Sequence, residues 1–418
     1  MTAADGATPP EQRPLDQSRL DQPRLDQPRL DLPALVADRS IRVIVACGSG
    51  GVGKTTTAAA LGLMGAEAGR RTVVLTIDPA RRLAQSMGLT ELDNTPRAVP
   101  GVDEAGGGQL FAMMLDMKRT FDDVVATHAS PERAEQIFAN PFYQSLSSSF
   151  AGTQEYMAME KLSQLRLADE WDLIVVDTPP SRSALDFLDA PKRLGRFLDG
   201  RMIRLLSAPA RAGGRTYLRV VGASVNLFGR LLDRILGGEL LRDVSSFVTA
   251  LETMFGGFRD RAQQTYQLLK APGTAFVVVA VPEAAALREA SYFVERLAAD
   301  QMPLAGLVVN RVQPAPAPGL SAPRAAAAAE VLKDELRRTS AVGEGDTTAG
   351  ELRDEDLLAI AALRAHVDAA SLYESHQRMT GRMAAAHPGL ASVQVPALAS
   401  DVHDLAGLRR IGDALGQS

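Results

Sequence analysis

Residues Gly48, Ser49, Gly50, Gly51, Val52, Gly53, Lys54, Thr55 and Thr56 form a glycine-rich run closed by a lysine and two threonines. Glycines let the backbone wrap closely round an anion with successive N–H groups pointing inward. A helix starting near Lys54 adds its positive dipole end to the same spot. Lys54 then reaches the β- and γ-phosphates, and the Thr55 hydroxyl ligates Mg²⁺. The pattern G-x-x-x-x-G-K-[ST] arises by chance in about one or two per cent of chains of this length, so a bare glycine turn explains it poorly. The run predicts binding of a nucleoside triphosphate.

Three further positions have the right chemistry. Asp78 follows the apolar Leu75-Thr76-Ile77 and is followed by Pro79 and Ala80, which puts a carboxylate at a strand end. Asp177 ends another apolar run and is followed by Thr178, Pro179 and Pro180, as expected of the acidic residue that holds Mg²⁺ through water. Asn310 and Arg311 close a third run, where an amide can recognise a base edge. Each alone reads as a turn; in this order behind the glycine loop they read as one site.

The elements that must position them are strands alternating with helices. Apolar strand candidates are 41–47, 72–77, 109–115, 172–177, 274–281 and 304–309, with a short one at 393–395. Runs such as Leu173-Ile174-Val175-Val176 lack alternation, which predicts strands covered on both faces. The expected fold is α/β: a mostly parallel sheet flanked by helices, as in P-loop NTPases, with a helical insertion subdomain and ligands at the carboxyl ends of the strands. Residues 1–36 read as a disordered leader carrying a degenerate Leu-Asp-Gln-Pro-Arg repeat, in which Pro23, Pro28 and Pro33 break any helix. Residues 37–418 read as the ATPase domain, with helical insertions at 117–170 and 183–270. The segment 313–355, rich in Ala, Pro and Gly, reads as a low-complexity loop or helical excursion.

Composition narrows the classes. A net charge of −5 gives no general attraction to nucleic acid or anionic membrane. The single cysteine, Cys47, rules out an internal disulfide and a multi-cysteine zinc site, so no zinc is expected. No signal peptide or membrane-spanning run is read in the chain. The expected location is the cytoplasm, with any approach to a membrane made through a partner.

Together, Gly-Gly-Val-Gly-Lys-Thr-Thr (50–56), Asp78-Pro79-Ala80, Gly152-Thr153-Gln154-Glu155, Asp177-Thr178-Pro179-Pro180 and Val308-Val309-Asn310 resemble the ArsA/GET family, dimeric P-loop ATPases of the wider MinD/ParA class. The similarity covers about 40–312 and extends to Val395-Pro396. The chain is most similar to the actinobacterial "anion-transporting ATPase" branch, through Asp177 to Arg182 and Leu185 to Leu194. The resemblance implies ATP with Mg²⁺ and hydrolysis to ADP and phosphate. It implies that Asp78 polarises the attacking water in a first switch with Pro79 and Ala80. Asp177 then supports Mg²⁺ and opens a second switch through Thr178 and Pro179. It also implies that Thr56 contacts the α-phosphate, Asn310 reads the adenine, and the loop at Pro396 closes over the base.

Two departures matter. The family's signature lysine, which crosses the dimer interface to the partner's phosphates, is replaced by Ser49, so a symmetric homodimer is expected to turn over slowly. That points to a mixed dimer with a lysine-bearing sibling, although Arg81 or Arg82 offers an alternative cation in a homodimer. The Cys-x-x-Cys of zinc-linked members is missing, and one thiol cannot hold arsenite, so arsenite transport is not expected.

The expected cargo is a hydrophobic or membrane-protein client. Segment 202–241 carries more apolar residues than one buried stripe needs, among them Leu205, Leu206, Phe228, Leu231 and Leu232. Phe138, Phe142, Tyr143, Phe150, Tyr156, Met157 and Met159 add a stretch of the adaptable kind. The alternatives are a MinD/ParA-like switch and a regulatory ATP-binding subunit, neither with a client groove. At the C-terminus, Leu405, Leu408, Ile411 and Leu415 share one helix face and predict a final core helix.

Overall fold

The computed structural model describes residues 28–78, 82–103, 105–140, 143–144, 153–179, 261, 263–317, 319–342 and 354–417. Its centre is an eight-stranded sheet. The strands are β1 (Val43–Cys47), β2 (Arg71–Thr76), β3 (Arg97–Ala98), β4 (Gln109–Met114), β5 (Leu173–Asp177), β6 (Thr274–Ala280), β7 (Leu304–Val312) and β8 (Ser392–Pro396). They lie in the order β3-β4-β2-β5-β1-β6-β7-β8. Only the β3–β4 pair is antiparallel. β1 is thus flanked by β5 and β6, and successive strands depart to opposite sides of it, which opens a crevice at its carboxyl end.

Each apolar strand feeds two cores. Val43, Val45, Leu75, Val176 and Val278 point to one face, where α4 (Met117–His128), α5 (Pro131–Ala139), α6 (Thr153–Leu167) and α7 (Ala284–Ala299) pack. Ile44, Ala46, Val74, Val175 and Val277 point to the other, towards α1 (Leu32–Ala37), α2 (Lys54–Glu67) and α10 (Leu405–Gln417). Two-sided burial explains why β1, β5 and β6 are apolar apart from Asp177 at the end of β5 and Thr274 at the start of β6. Small residues bring α2 down onto the sheet: a Cβ on Gly62 would lie 2.3 Å from the Val74 side chain. α10 covers its outer side with the predicted face, Leu408, Ile411 and Leu415 all being buried. No helix among the described residues is long and apolar enough to cross a membrane.

The leader ends earlier than expected. Residues 28–37 belong to the fold: Leu30, Leu32 and Val36 are core residues, and α1 starts with Pro33 in its first turn and Asp31 as its cap. Proline in a first turn has no N–H to lose, so Pro33 starts a helix where it was expected to break one. In segment 313–355 the structure has the helix and not the loop over α8 (Ala322–Val342). The Ala325–Ala329 run favours helix, and Pro323 again sits in the first turn. α9 (Asp354–Ala386) then returns antiparallel against α8, its His366 ring bonded to Leu320 O at 2.7 Å.

The insertion 117–170 contributes α4, α5 and α6, whereas most of 183–270, including 202–241, lies outside the described residues. Tyr143, Met157 and Met159 are core side chains, 1% or less exposed. These three, expected to offer an adaptable surface, are instead spent on the fold.

Candidate functional site

At the end of β1 the chain turns through the glycine loop into α2. Gly48 has φ +150°, and a Cβ there would come within 2.1 Å of Val279 O on β6. Gly53 has φ +95°, and a Cβ there would come within 2.2 Å of the Asn310 amide nitrogen. These two positions tolerate only glycine, and they set the loop tightly between β6 and β7. Lys54 is the first residue of α2, 6% exposed, with its ammonium donating to Ser49 O at 2.8 Å across the loop. Burial holds its pKa below the ordinary lysine value, while the nearby Asp177 and Asp78 carboxylates oppose that shift. Thr55 and Thr56 are half-buried in the first turn.

Asp177 ends β5 in register with Ala46 on one side and Thr76 on the other. Its Oδ2 accepts from Thr55 Oγ1 at 2.8 Å and from Thr76 Oγ1 at 2.9 Å. Its Oδ1 is buried with no hydrogen-bond partner among the described residues. Full burial pushes the carboxyl up to about 6, against the two hydroxyls and Lys54, which pull it down. Thr178 donates its hydroxyl to Ala46 O at 2.8 Å and pins the chain leaving β5 to the end of β1. Thr76 also accepts from the Asp78 amide at 3.2 Å, so one hydroxyl ties Asp78 to Asp177.

The constellation therefore comes together around Lys54. Asp78 is half-buried and close enough to act electrostatically on both Lys54 and Asp177. Pro79 and Ala80 lie outside the described residues; Pro179 is half-buried next to Thr178. Asn310 sits on the opposite side of the loop, where its Nδ2 donates to Val52 O at 2.9 Å and its Oδ1 accepts from Arg311 N at 3.0 Å. Arg311, at φ +58°, donates to Gly51 O at 3.2 Å. Pro396 is exposed at the end of β8, in register with Val312 on the same rim as Asn310. Cys47 is buried beneath the loop with its thiol pushed up to about 12, so it takes no part as a thiolate.

The donor set suits Mg²⁺. A buried carboxylate with an unpartnered oxygen stands beside a threonine hydroxyl, and both are hard oxygen ligands. Among the described residues no cluster of three or more His, Cys, Asp or Glu side chains surrounds them.

Sequence reasoning missed Thr76 and Arg311. Thr76 carried a usable signal, a hydroxyl two residues before a strand-end aspartate. Arg311 carried none, because its contact to Gly51 joins positions 260 residues apart.

The sequence profile of the ArsA family, described as anion-transporting ATPase, matches residues 41–334. The curated ATPase GET3 of Podospora anserina is 27% identical over 280 residues, which are 67% of this chain and 75% of that protein. The ATPase get3 of Pyrenophora tritici-repentis is 26% identical over 284 residues, 67% and 76% of the two chains. The ATPase ARSA2 of Chlamydomonas reinhardtii is 28% identical over 281 residues, 66% and 70% of the two chains. Those names fall on a chain with a phosphate loop, a buried strand-end aspartate and a parallel sheet to hold both: it belongs to the ArsA family of anion-transporting ATPases.

Proposed function

We propose that this chain binds ATP with Mg²⁺ and hydrolyses it to ADP and phosphate in a dimer whose closure follows the nucleotide. The observation that supports this best is Asp177, buried at the loop with one oxygen held by Thr55 and Thr76 and the other unpartnered. In the complex the loop amides and the positive end of α2 take phosphate oxygens, and Lys54 exchanges Ser49 O for the β- and γ-phosphates. Thr55 and Asp177 would hold Mg²⁺, which would supply positive charge to the phosphate oxygens. Thr56 takes the α-phosphate.

Asp78 orients the attacking water, whose oxygen bonds to the γ-phosphorus as the bond to the bridging oxygen of ADP breaks. Pro79 and Ala80 move with it as the first switch, and Thr178 and Pro179 as the second. With Val52 O and Arg311 N served, Asn310 keeps one N–H and one lone pair, a donor–acceptor pair that matches an adenine edge. Guanine offers two acceptors on its corresponding edge and leaves the Asn310 oxygen opposed. Pro396 closes over the base. Direct competition of ATP against GTP tests this. Equal affinity, or an unchanged preference in Asn310→Ala, contradicts the role of Asn310.

Ser49 favours a mixed dimer, because its side chain brings no charge to the partner's phosphates. A sibling with lysine at that position leaves one site well charged and the other poor. The same residue supports a second reading, a regulatory subunit that holds ATP and hardly cleaves it. Titrating a lysine-bearing sibling into the chain and following phosphate release separates them. A rise to a plateau at one-to-one supports the mixed dimer; fast turnover without the sibling overturns both.

The client is a hydrophobic segment, at the membrane or on its way there. Residues 202–241 support this through composition alone. Nucleotide-dependent binding of an apolar helical peptide is the expected result, and no binding in either nucleotide state removes the client.

A further inference from the structure

Beside the phosphate loop, β7 departs from regular strand geometry. Val309 lies opposite Gln394 of β8 and Val312 opposite Pro396, so Asn310 and Arg311 together face the single residue Val395. The extra residue is a bulge, and it shows in the packing. Val309 and Val312 are three residues apart yet buried in the same core, where strict alternation would send them to opposite faces. Arg311 takes up the change with φ +58°, a left-handed conformation that glycine adopts freely and arginine does not.

As a result, two consecutive side chains reach the same loop. Asn310 Nδ2 donates to Val52 O at 2.9 Å and Arg311 Nη1 donates to Gly51 O at 3.2 Å, on neighbouring carbonyls. In an unbroken strand the two would point to opposite faces. Asn310 is buried and by itself fastens the loop to β7. Arg311 and Gly51 are both exposed, so water could serve the Gly51 carbonyl equally well and the contact adds little to the fold. The strain at Arg311 therefore goes into where its guanidinium is placed.

That place is next to the amide whose free N–H and lone pair suit an adenine edge. A base with its edge on Asn310 turns one face towards the following residue on the rim. A guanidinium is planar, delocalised and weakly hydrated, and it stacks on aromatic faces. Its bond to Gly51 holds it in position before a base arrives, which lowers the side-chain entropy lost on binding. On the reading that ATP places its base at Asn310, we propose that Arg311 is the shelf for that base: its stem and guanidinium lie against one face of the ring. The shelf meets a π face and no edge, so it serves adenine and guanine alike and leaves the choice between them to Asn310. It also links the base to the loop that wraps the phosphates.

Calorimetry on the full chain and on Arg311→Gly and Arg311→Lys tests the shelf, with Mg²⁺-ATP, Mg²⁺-GTP and inorganic tripolyphosphate as ligands. Glycine suits the backbone at φ +58°, so Arg311→Gly removes the side chain without straining the bulge. It is expected to raise the Kd of ATP and of GTP about tenfold each, with their ratio unchanged, and to leave tripolyphosphate within about twofold. Arg311→Lys keeps the charge without the planar fork and is expected to fall between the parent and Arg311→Gly. An equal loss for ATP and tripolyphosphate overturns the shelf, because the guanidinium then acts on the loop or the phosphates. ATP affinity that is indifferent to Arg311→Gly removes the shelf alone, whereas no ATP binding by the parent chain removes both the shelf and the nucleotide site it rests on.

Discussion

At Asp177 two requirements pull in opposite directions: a carboxylate must be ionised to hold a cation, and full burial pushes it up to about 6. The hydroxyls of Thr55 and Thr76 and the Lys54 ammonium ease the conflict without removing it, and a bound divalent ion completes the compensation. Asp177→Asn keeps the shape and loses the charge. It is expected to cut ATP turnover about a hundredfold or more and to abolish its response to Mg²⁺, measured by phosphate release across a Mg²⁺ titration. A variant that still follows Mg²⁺ would take the ion away from this residue. Lys54→Ala is expected to abolish ATP binding in calorimetry, since it removes the cation from the loop. Lys54 and Thr55 were legible in the sequence because they close a glycine-rich loop, and Asp78 and Asp177 because each follows an apolar run. The contacts of Asn310 and Arg311 to the loop were not, since 258 and 260 residues separate the partners.

Seven of the eight strands were legible as elements: burial on both faces writes an apolar run in β1, β5 and β6, and shorter apolar stretches mark the others. β3 was not: Arg97–Ala98 is two residues long and carries no run. The first described residues were misread for a different reason, since the repeat continues without a break into a copy whose leucines are core. α10 closes that side of the sheet. Leu408→Ala is expected to cost about 2–5 kcal/mol in denaturant unfolding, as for a fully buried leucine that packs on both neighbours. A loss below about 0.5 kcal/mol would mean that α10 is not packed on α2 as described.

On the far edge, His376 of α9 accepts from Gln313 N at 2.9 Å, three residues past Asn310. Burial holds its pKa below the ordinary histidine value, with the Glu283 carboxylate opposing. The unfolded chain therefore takes up a proton below about pH 6.5 before the folded one does, and stability falls as pH drops through that range. His376→Gln is expected to flatten the difference in unfolding midpoint between about pH 7.5 and pH 5.5. An unchanged slope contradicts the assignment.

For the molecule as a whole, turnover depends on charge at the γ-phosphate. The loop, its lysine and both aspartates are present, and under the proposed function Ser49 stands where a cation would cross to the partner. Ser49→Lys is expected to raise the turnover of the pure chain by about tenfold or more, measured at saturating ATP. Flat turnover would mean that another cation already serves. The proposed dimer rests on family resemblance alone, and the proposed client on that resemblance together with the apolar composition of 202–241.

The most direct test of the central claim is phosphate release from Mg²⁺-ATP by the chain and by Asp78→Asn, with ATP binding measured on the same samples. Both proteins are expected to bind ATP within a few-fold of each other, with release by the variant lower by about a hundredfold or more. Equal release by the two proteins, or no ATP binding by the unaltered chain, contradicts it.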